Sequence, residues 1–317
     1  MTTALAVLRT ITARHGSFQR REALEVGFND ASLRRGVRRG VLVRVRHGAY
    51  AFADDWVGLD DVDRHLVLAG AVLRSLGPVV AASHHTGSLL HGLELWDADL
   101  SRVHVTRLDG GAGRTERDVV HHEGVSLDTD VVQVGNHLVV RPVRAALESA
   151  LITGVEQGLV VVESGLRKAR FTLDQLAAQH ALMRFWPAAA HLQLVTRLAD
   201  VRSESVGESR SMNLFWAQGL PRPQQQFEVY DAGGRLVGTT DFAWPEHGLL
   251  GEFDGKAKYL RYLRPGEEPG DAVFREKQRE DRLRRVTGWS MVRLTWADLY
   301  DPARTAAYVR SLMRKAA

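Results

Sequence analysis

The sequence predicts a multi-domain α/β chain of the α+β type, and three observations predict it. Residues 1 to 50 carry the apolar spacing of a helix-turn-helix, residues 155 to 199 carry longer helical periodicity, and residues 235 to 256 alternate as a β-hairpin. A chain of 317 residues with 44% hydrophobic content exceeds one average domain. The expected layout is a winged helix-turn-helix over 1–55, a small α/β domain over 56–155, a helical linker over 156–200 and a second α/β core over 201–317.

The first segment reads as a helix from Thr3 to about Arg14, a helix from Arg20 to Val26, a turn around Gly27, and a third helix capped by Asn29 or Asp30 that ends near Gly40. On the third helix Leu33 and Val37 lie one turn apart and are expected to face the core. Arg34, Arg35, Arg38 and Arg39 project elsewhere, with Arg35 almost opposite the buried stripe. The run VLVRVRHGAYAF then alternates and turns at His47-Gly48, a wing hairpin bearing Arg44 and Arg46.

Charge supports a polyanion partner for this end. Residues 1 to 50 hold ten Arg, no Lys and three acids, a net +7, whereas the rest of the chain has 32 basic against 35 acidic groups. Double-stranded DNA is the expected partner, with Arg34, Arg35, Arg38, Arg39, Arg44 and Arg46 as its contacts. A helical protein-interaction domain with a solvated arginine face is the competing reading. The glycine-ended basic helix followed by R-x-R-H-G-A-Y resembles the N-terminal winged helix of AbiEi-like abortive-infection antitoxins. That resemblance implies operator binding for autoregulation and a cognate toxin as a second partner. It continues more loosely through SHHTGSLLHGL and RPVRAALESAL, between about residues 60 and 155.

The middle of the chain offers weaker signals. Seven of the 13 His fall between positions 84 and 137. A zinc site is not expected from them, because the adjacent pairs His84-His85 and His121-His122 cannot easily serve one ion from a regular element. GGAGR lacks the Lys-Ser/Thr of a phosphate-binding loop and reads as a turn. Phe185 and Trp186 are expected in the core.

At the far end, a strand from about Leu236 to Trp244 turns through Pro245–Gly248 and returns from Leu249 to Asp254. If Trp244 pairs with Leu249, Asp241 lies opposite Glu252, and Asp254 points the same way as Glu252. Like charges so placed repel unless a cation neutralises them, and oxygen ligands suit Mg²⁺ or Mn²⁺. A solvated acidic face is the alternative. The interleaved Phe242, Trp244, Leu250 and Phe253 argue for a sheet covered on both faces.

This stretch resembles the PD-(D/E)XK nuclease core of the very-short-patch repair branch. The resemblance rests on Glu252-Phe253-Asp254-Gly255, a preceding helix offering Glu204 and Glu208, the later helix EKQREDRLRRVTG and the strand WSMVRLTW. It implies a restriction-endonuclease-like αβββαβ core, with Glu208, Asp241, Glu252 and Asp254 as metal ligands. It also implies catalysis by Asp241, Glu252, Asp254 and a nearby Lys. The position two after Glu252, where the motif has Lys, is Asp254; Lys256, Lys258 and Lys277 are the candidates to replace it. Lys277 and Arg279 on the arginine-rich helix are further candidate DNA contacts, or part of a solvated mixed-charge face. Two functions follow as expectations: a metal-dependent DNA endonuclease targeted by a winged helix, or a non-catalytic regulator with a degenerate nuclease domain.

Composition sets outer limits. The absence of Cys excludes disulfides, thiolate metal sites and a cysteine nucleophile. The longest apolar runs, such as Leu66 to Leu73, are too short for a bilayer and the N-terminus has no signal-peptide core, so a cytoplasmic protein without membrane partners is expected. Assembly as a homodimer is left open.

Overall fold

The computed structural model describes residues 2–124, 128–255 and 269–316. It is a mixed α/β chain that divides into two compact units, Met1–Gln193 and Leu194–Ala317. The boundaries drawn at 55 and 155 both lie within the first unit.

The first unit opens with α1 (Thr2–His15), β1 (Phe18–Gln19), α2 (Arg20–Glu25), α3 (Asp30–Arg38), β2 (Leu42–Arg46) and β3 (Ala49–Phe52). The turn after α2 needs Gly27 at φ +91°, and Asn29 caps α3 by accepting the Ser32 N–H at 2.9 Å. The strands form a sheet in the order β1-β3-β2, and Leu8, Phe18, Ala23, Leu33, Leu42 and Phe52 make one core beneath the helices. Val37 departs from expectation: it is 36% exposed, so Leu33 alone anchors α3 from the expected pair. At Gly36 an added Cβ would come within 2.7 Å of Leu42, which shows how closely α3 lies on the wing.

Next come α4 (Ala53–Val57), α5 (Asp61–Leu76), β4 (Val80–Ala82), α6 (His84–Leu90), β5 (Val103–Arg107), β6 (Arg114–Thr115), β7 (Val119–His122), β8 (Val131–Val134) and β9 (His137–Val140). Six strands form one mixed sheet in the order β6-β7-β5-β4-β9-β8, with β5–β7 and β4–β9 parallel. Ala69, Val72 and Leu73 of α5 pack on Val80, Val103, Val105, Val119 and Val139 of that sheet. The helices α7 (Pro142–Leu151), α8 (Val155–Arg167) and α9 (Leu173–Met183) follow, and α10 (Leu192–Leu198) spans the division between the two units. The stretch expected as a linker contains α8, whose Leu159, Val160, Val161 and Val162 are fully buried in core packing. Phe185 corrects another expectation. It is 84% exposed, and the Arg184 guanidinium lies over its ring at 4.5 Å.

The second unit contains α11 (Val206–Ala217), β10 (Gln224–Tyr230), β11 (Leu236–Trp244), β12 (Leu249–Asp254), α12 (Pro269–Thr287), β13 (Ser290–Thr295), α13 (Trp296–Leu299) and α14 (Pro302–Ala316). Its sheet order is β10-β11-β12-β13, with the last pair parallel. Alternation along the hairpin gives both faces an apolar cover. Phe242 and Trp244 meet Phe215 of α11 edge-on at 5.1 Å, while Ala243 and Leu250 join Leu283 of α12.

Candidate nucleic-acid interface

The basic surface begins with α3. Arg34, Arg35, Arg38 and Arg39 are all exposed, whereas Leu33 on the same helix is buried. The chain turns out of the helix at Gly40, φ +69°, and enters the wing. Arg44 is exposed near the wing's turn, with its Nη2 2.8 Å from His47 Nδ1. Arg46 behaves differently from the expected DNA contact: its Nε donates to Asp118 Oδ2 at 2.8 Å, and both side chains are partly buried.

In the second unit, Trp244 pairs with Leu249 as expected, and the pairing runs to Phe242 and Gly251, one position short of Asp241 and Glu252. The acids are nevertheless held by protein groups. Asp241 Oδ2 accepts the Phe253 N–H at 2.8 Å. Glu252 is buried and accepts from the Arg279 guanidinium, with Arg293 at 3.5 Å. Arg293 also stands 3.8 Å from Asp254 and 3.1 Å from Glu280. Parallel pairing explains this, since Arg293 lies directly across from Glu252.

Glu208 is likewise engaged elsewhere. It is 1% exposed, and its carboxylate closes the N-terminus of its own helix, accepting from the Glu204 N–H and the Ser205 Oγ at 2.8 Å and from Gln226 Nε2 at 3.3 Å. Gly207 beside it faces the Phe253 ring, whereas Glu252 shares its strand face with Leu250 and α12. Thus Glu208 sits on the α11 side of the sheet and Glu252 on the α12 side. Lys277 is exposed. Arg279, expected as a DNA contact, turns inward to Glu252 and donates to the Thr239 carbonyl at 2.9 Å. Lys256 and Lys258 lie outside the described residues.

Among the described residues, three candidate metal-ligand atoms from His, Asp or Glu come within 4.8 Å of one another at one place, and it is not the acidic hairpin. That place is His84, His104 and His122 in the first unit. The sequence reading missed it because His104 was not one of the adjacent pairs. The usable signal was alternation: His104 and His122 occupy same-face positions of two strands that prove to be parallel neighbours.

The winged-helix segment has a match among known families. Residues 7–53 match the family described as "Transcriptional regulator, AbiEi antitoxin". This AbiEi match spans α1 from residue 7 onward, α2, α3 and both wing strands, and so covers the whole exposed arginine cluster. Two curated relatives from Mycobacterium tuberculosis, uncharacterized proteins MT2308 (strain CDC 1551 / Oshkosh) and Rv2248 (strain ATCC 25618 / H37Rv), are each 26% identical over 277 residues, covering 86% of this chain and 93% of theirs. The crystal structure of RV2827C protein from Mycobacterium tuberculosis superposes with a TM-score of 0.39 at 12% identity, over 72% of this chain and 88% of that one. At that level of likeness nothing carries over. Among the described residues, no helix is long and apolar enough to cross a membrane.

Proposed function

We propose that this protein is a DNA-binding transcriptional regulator of the AbiEi antitoxin type, which grips double-stranded DNA through α3 and the wing. The observation that carries this reading is the single helix that buries Leu33 and exposes Arg34, Arg35, Arg38 and Arg39 within the family-matched segment. Guanidinium groups on such a helix can reach guanine edges or phosphates, and Arg44 on the wing adds a neighbouring phosphate contact. A cognate toxin belongs to the same reading, as the family description implies for antitoxins. The test is a gel shift with duplex DNA carrying the protein's own promoter. Arg35→Ala should weaken binding by about 1–3 kcal/mol, roughly 5- to 150-fold. Equal affinity for wild type and an Arg35→Ala/Arg38→Ala double variant would remove α3 as the DNA-contacting helix.

A second reading, a Mg²⁺- or Mn²⁺-dependent DNA endonuclease in the second unit, is favoured by a specific observation. The described elements from 206 to 295 run αβββαβ, and the hairpin pairs Phe242 with Gly251, one position short of Asp241 and Glu252. The oxygen donors Asp241, Glu252 and Asp254 suit a hard cation, which would polarise the scissile phosphate and lower the pKa of a bound water. The ion would have to displace the guanidinium groups of Arg279 and Arg293 from Glu252. Incubating supercoiled plasmid with the protein and Mg²⁺, Mn²⁺ or EDTA separates the readings. Metal-dependent nicking that is lost in Asp241→Ala and Glu252→Ala supports the nuclease; retarded but intact plasmid under every condition leaves the regulator alone.

A further inference from the structure

The first unit contains a buried polar cluster that neither reading uses. His84 begins α6, His104 lies on β5 and His122 ends β7. The His104 Nδ1 and His122 Nε2 are 2.9 Å apart, and the His84 and His122 rings stack with centroids 3.7 Å apart. The His84 Nδ1 has Ser83 Oγ at 3.1 Å and Glu148 Oε2 at 3.6 Å, and Glu148 also accepts the His84 N–H at 3.3 Å. Arg144, 2% exposed, fixes Glu148 from behind through an Nε–Oε1 bond of 2.8 Å and pairs with Asp130 at 2.8 Å. Arg144 and two carboxylates thus back the three imidazoles, with burial pushing the Glu148 carboxyl above its ordinary range.

We propose that His84, His104 and His122 form a three-histidine site for a divalent transition metal of the Zn²⁺ class, with Glu148 orienting His84 and one coordination position open to a pocket. Three nitrogen donors select a borderline ion such as Zn²⁺, Co²⁺ or Ni²⁺ over Mg²⁺ or Ca²⁺, which prefer oxygen. Tetrahedral Zn–N bonds of about 2.0–2.1 Å place ligand nitrogens roughly 3.3 Å apart. The three ligand atoms lie within 4.8 Å of one another, and an ion would draw them closer while parting the stacked His84 and His122 rings. Glu148 Oε2 stands 3.6 Å from His84 Nδ1, a small shift away from the contact by which an outer carboxylate fixes a metal-bound imidazole.

Two further observations point to a ligand. Thr106, 1% exposed, has an Oγ1 with no hydrogen-bond partner among the described residues, and it lines the same pocket as His84, His122, Glu123 and Glu148. That pocket holds about 200 Å³, room for metal-bound water or a small anion. His84 itself sits at φ +49°, a conformation that a β-carbon makes costly and that recurs at ligand sites.

The test uses the full chain, stripped with EDTA and titrated with Co²⁺ while visible absorption is recorded, then with Zn²⁺ in competition. The expected result is one Co²⁺ per chain with the intense bands of a four-coordinate ion, displaced by Zn²⁺ and unaffected by Mg²⁺. Affinity should fall at least 100-fold in His104→Gln and His122→Gln and 10- to 100-fold in Glu148→Gln, with no change in His47→Gln, an exposed histidine control. X-ray absorption of the Zn²⁺-loaded wild type should show three imidazole ligands, a readout that requires no variant to fold. No band at one equivalent, equal binding by the His variants, or fewer than three imidazoles around Zn²⁺ would overturn the proposal.

Discussion

Glu252 shows how a single buried carboxylate is made tolerable. A charge taken from water must find a partner, and the hairpin's acids demand positive charge whatever its source. Arginine supplies it here, from Arg279 on α12 and Arg293 on β13. Removing Arg279 by Arg279→Ala should cost about 1–3 kcal/mol, discounted because the guanidinium is about one-third exposed, and urea unfolding of the second unit measures it. Unchanged stability would show that Arg293 alone suffices. The sequence showed the acids and the need to neutralise them, but two kinds of cation satisfy that need equally well. Arg293 was readable in principle, since a charge inside WSMVRLTW is a charge within an apolar strand, which calls for a partner. What stayed hidden was the parallel pairing that names the partner, because nothing local fixes which strand a last strand joins.

At the level of elements, the boundaries followed local chemistry closely. Asn29 capping α3, Gly27 and Gly40 at positive φ, and the turn at Gly48 are short-range requirements that leave fixed residue types in the chain. The expected hairpin, Leu236–Trp244 and Leu249–Asp254, was legible for the same reason. Faces were harder to read. Glu208 looked available because its helix pattern does not reveal that its carboxylate closes that helix's own first turn. The contact between α11 and β12 was likewise invisible, and it leaves no spare room: a Cβ at Gly207 would fall 1.9 Å from the Phe253 ring. Gly207→Ala should therefore destabilise the second unit by about 1–3 kcal/mol through displacement of that ring, read from its thermal midpoint. A neutral or stabilising effect would mean that Phe253 can swing aside at no cost.

Across the whole molecule, long-range assembly governs what local patterns cannot. The histidine cluster exists only because β5 and β7 pair in parallel and α6 starts beside them, a pairing that no local pattern announces. Its acid response follows from burial. His104 and His122 sit near 3 and 4 in the fold against an ordinary value of 6.5, and His85 near 4, in each case chiefly because burial disfavours the charged form. Above pH 6.5 these rings are neutral in both states and cost nothing. As pH falls from 6.5 toward 3, the unfolded chain takes up protons that the fold refuses, so the first unit should lose stability over that window. Melting scans at stepped pH check this, and a His104→Gln/His122→Gln double variant should respond less steeply if it folds. The tie between Arg46 and Asp118 joins the wing to the residue just before β7, and so it determines which cations DNA can use. Each phosphate neutralised by a protein cation frees condensed salt ions, lowering log K by about 0.9 per decade of salt. With Arg46 already committed, at most five arginines, Arg34, Arg35, Arg38, Arg39 and Arg44, contribute from α3 and the wing, which bounds their share of the slope near −4.5. Asp118→Ala would release the sixth, and binding measured at stepped KCl should then steepen by about one unit: a partly buried carboxylate outside the arginine helix would be setting how sharply the protein leaves DNA as ionic strength rises.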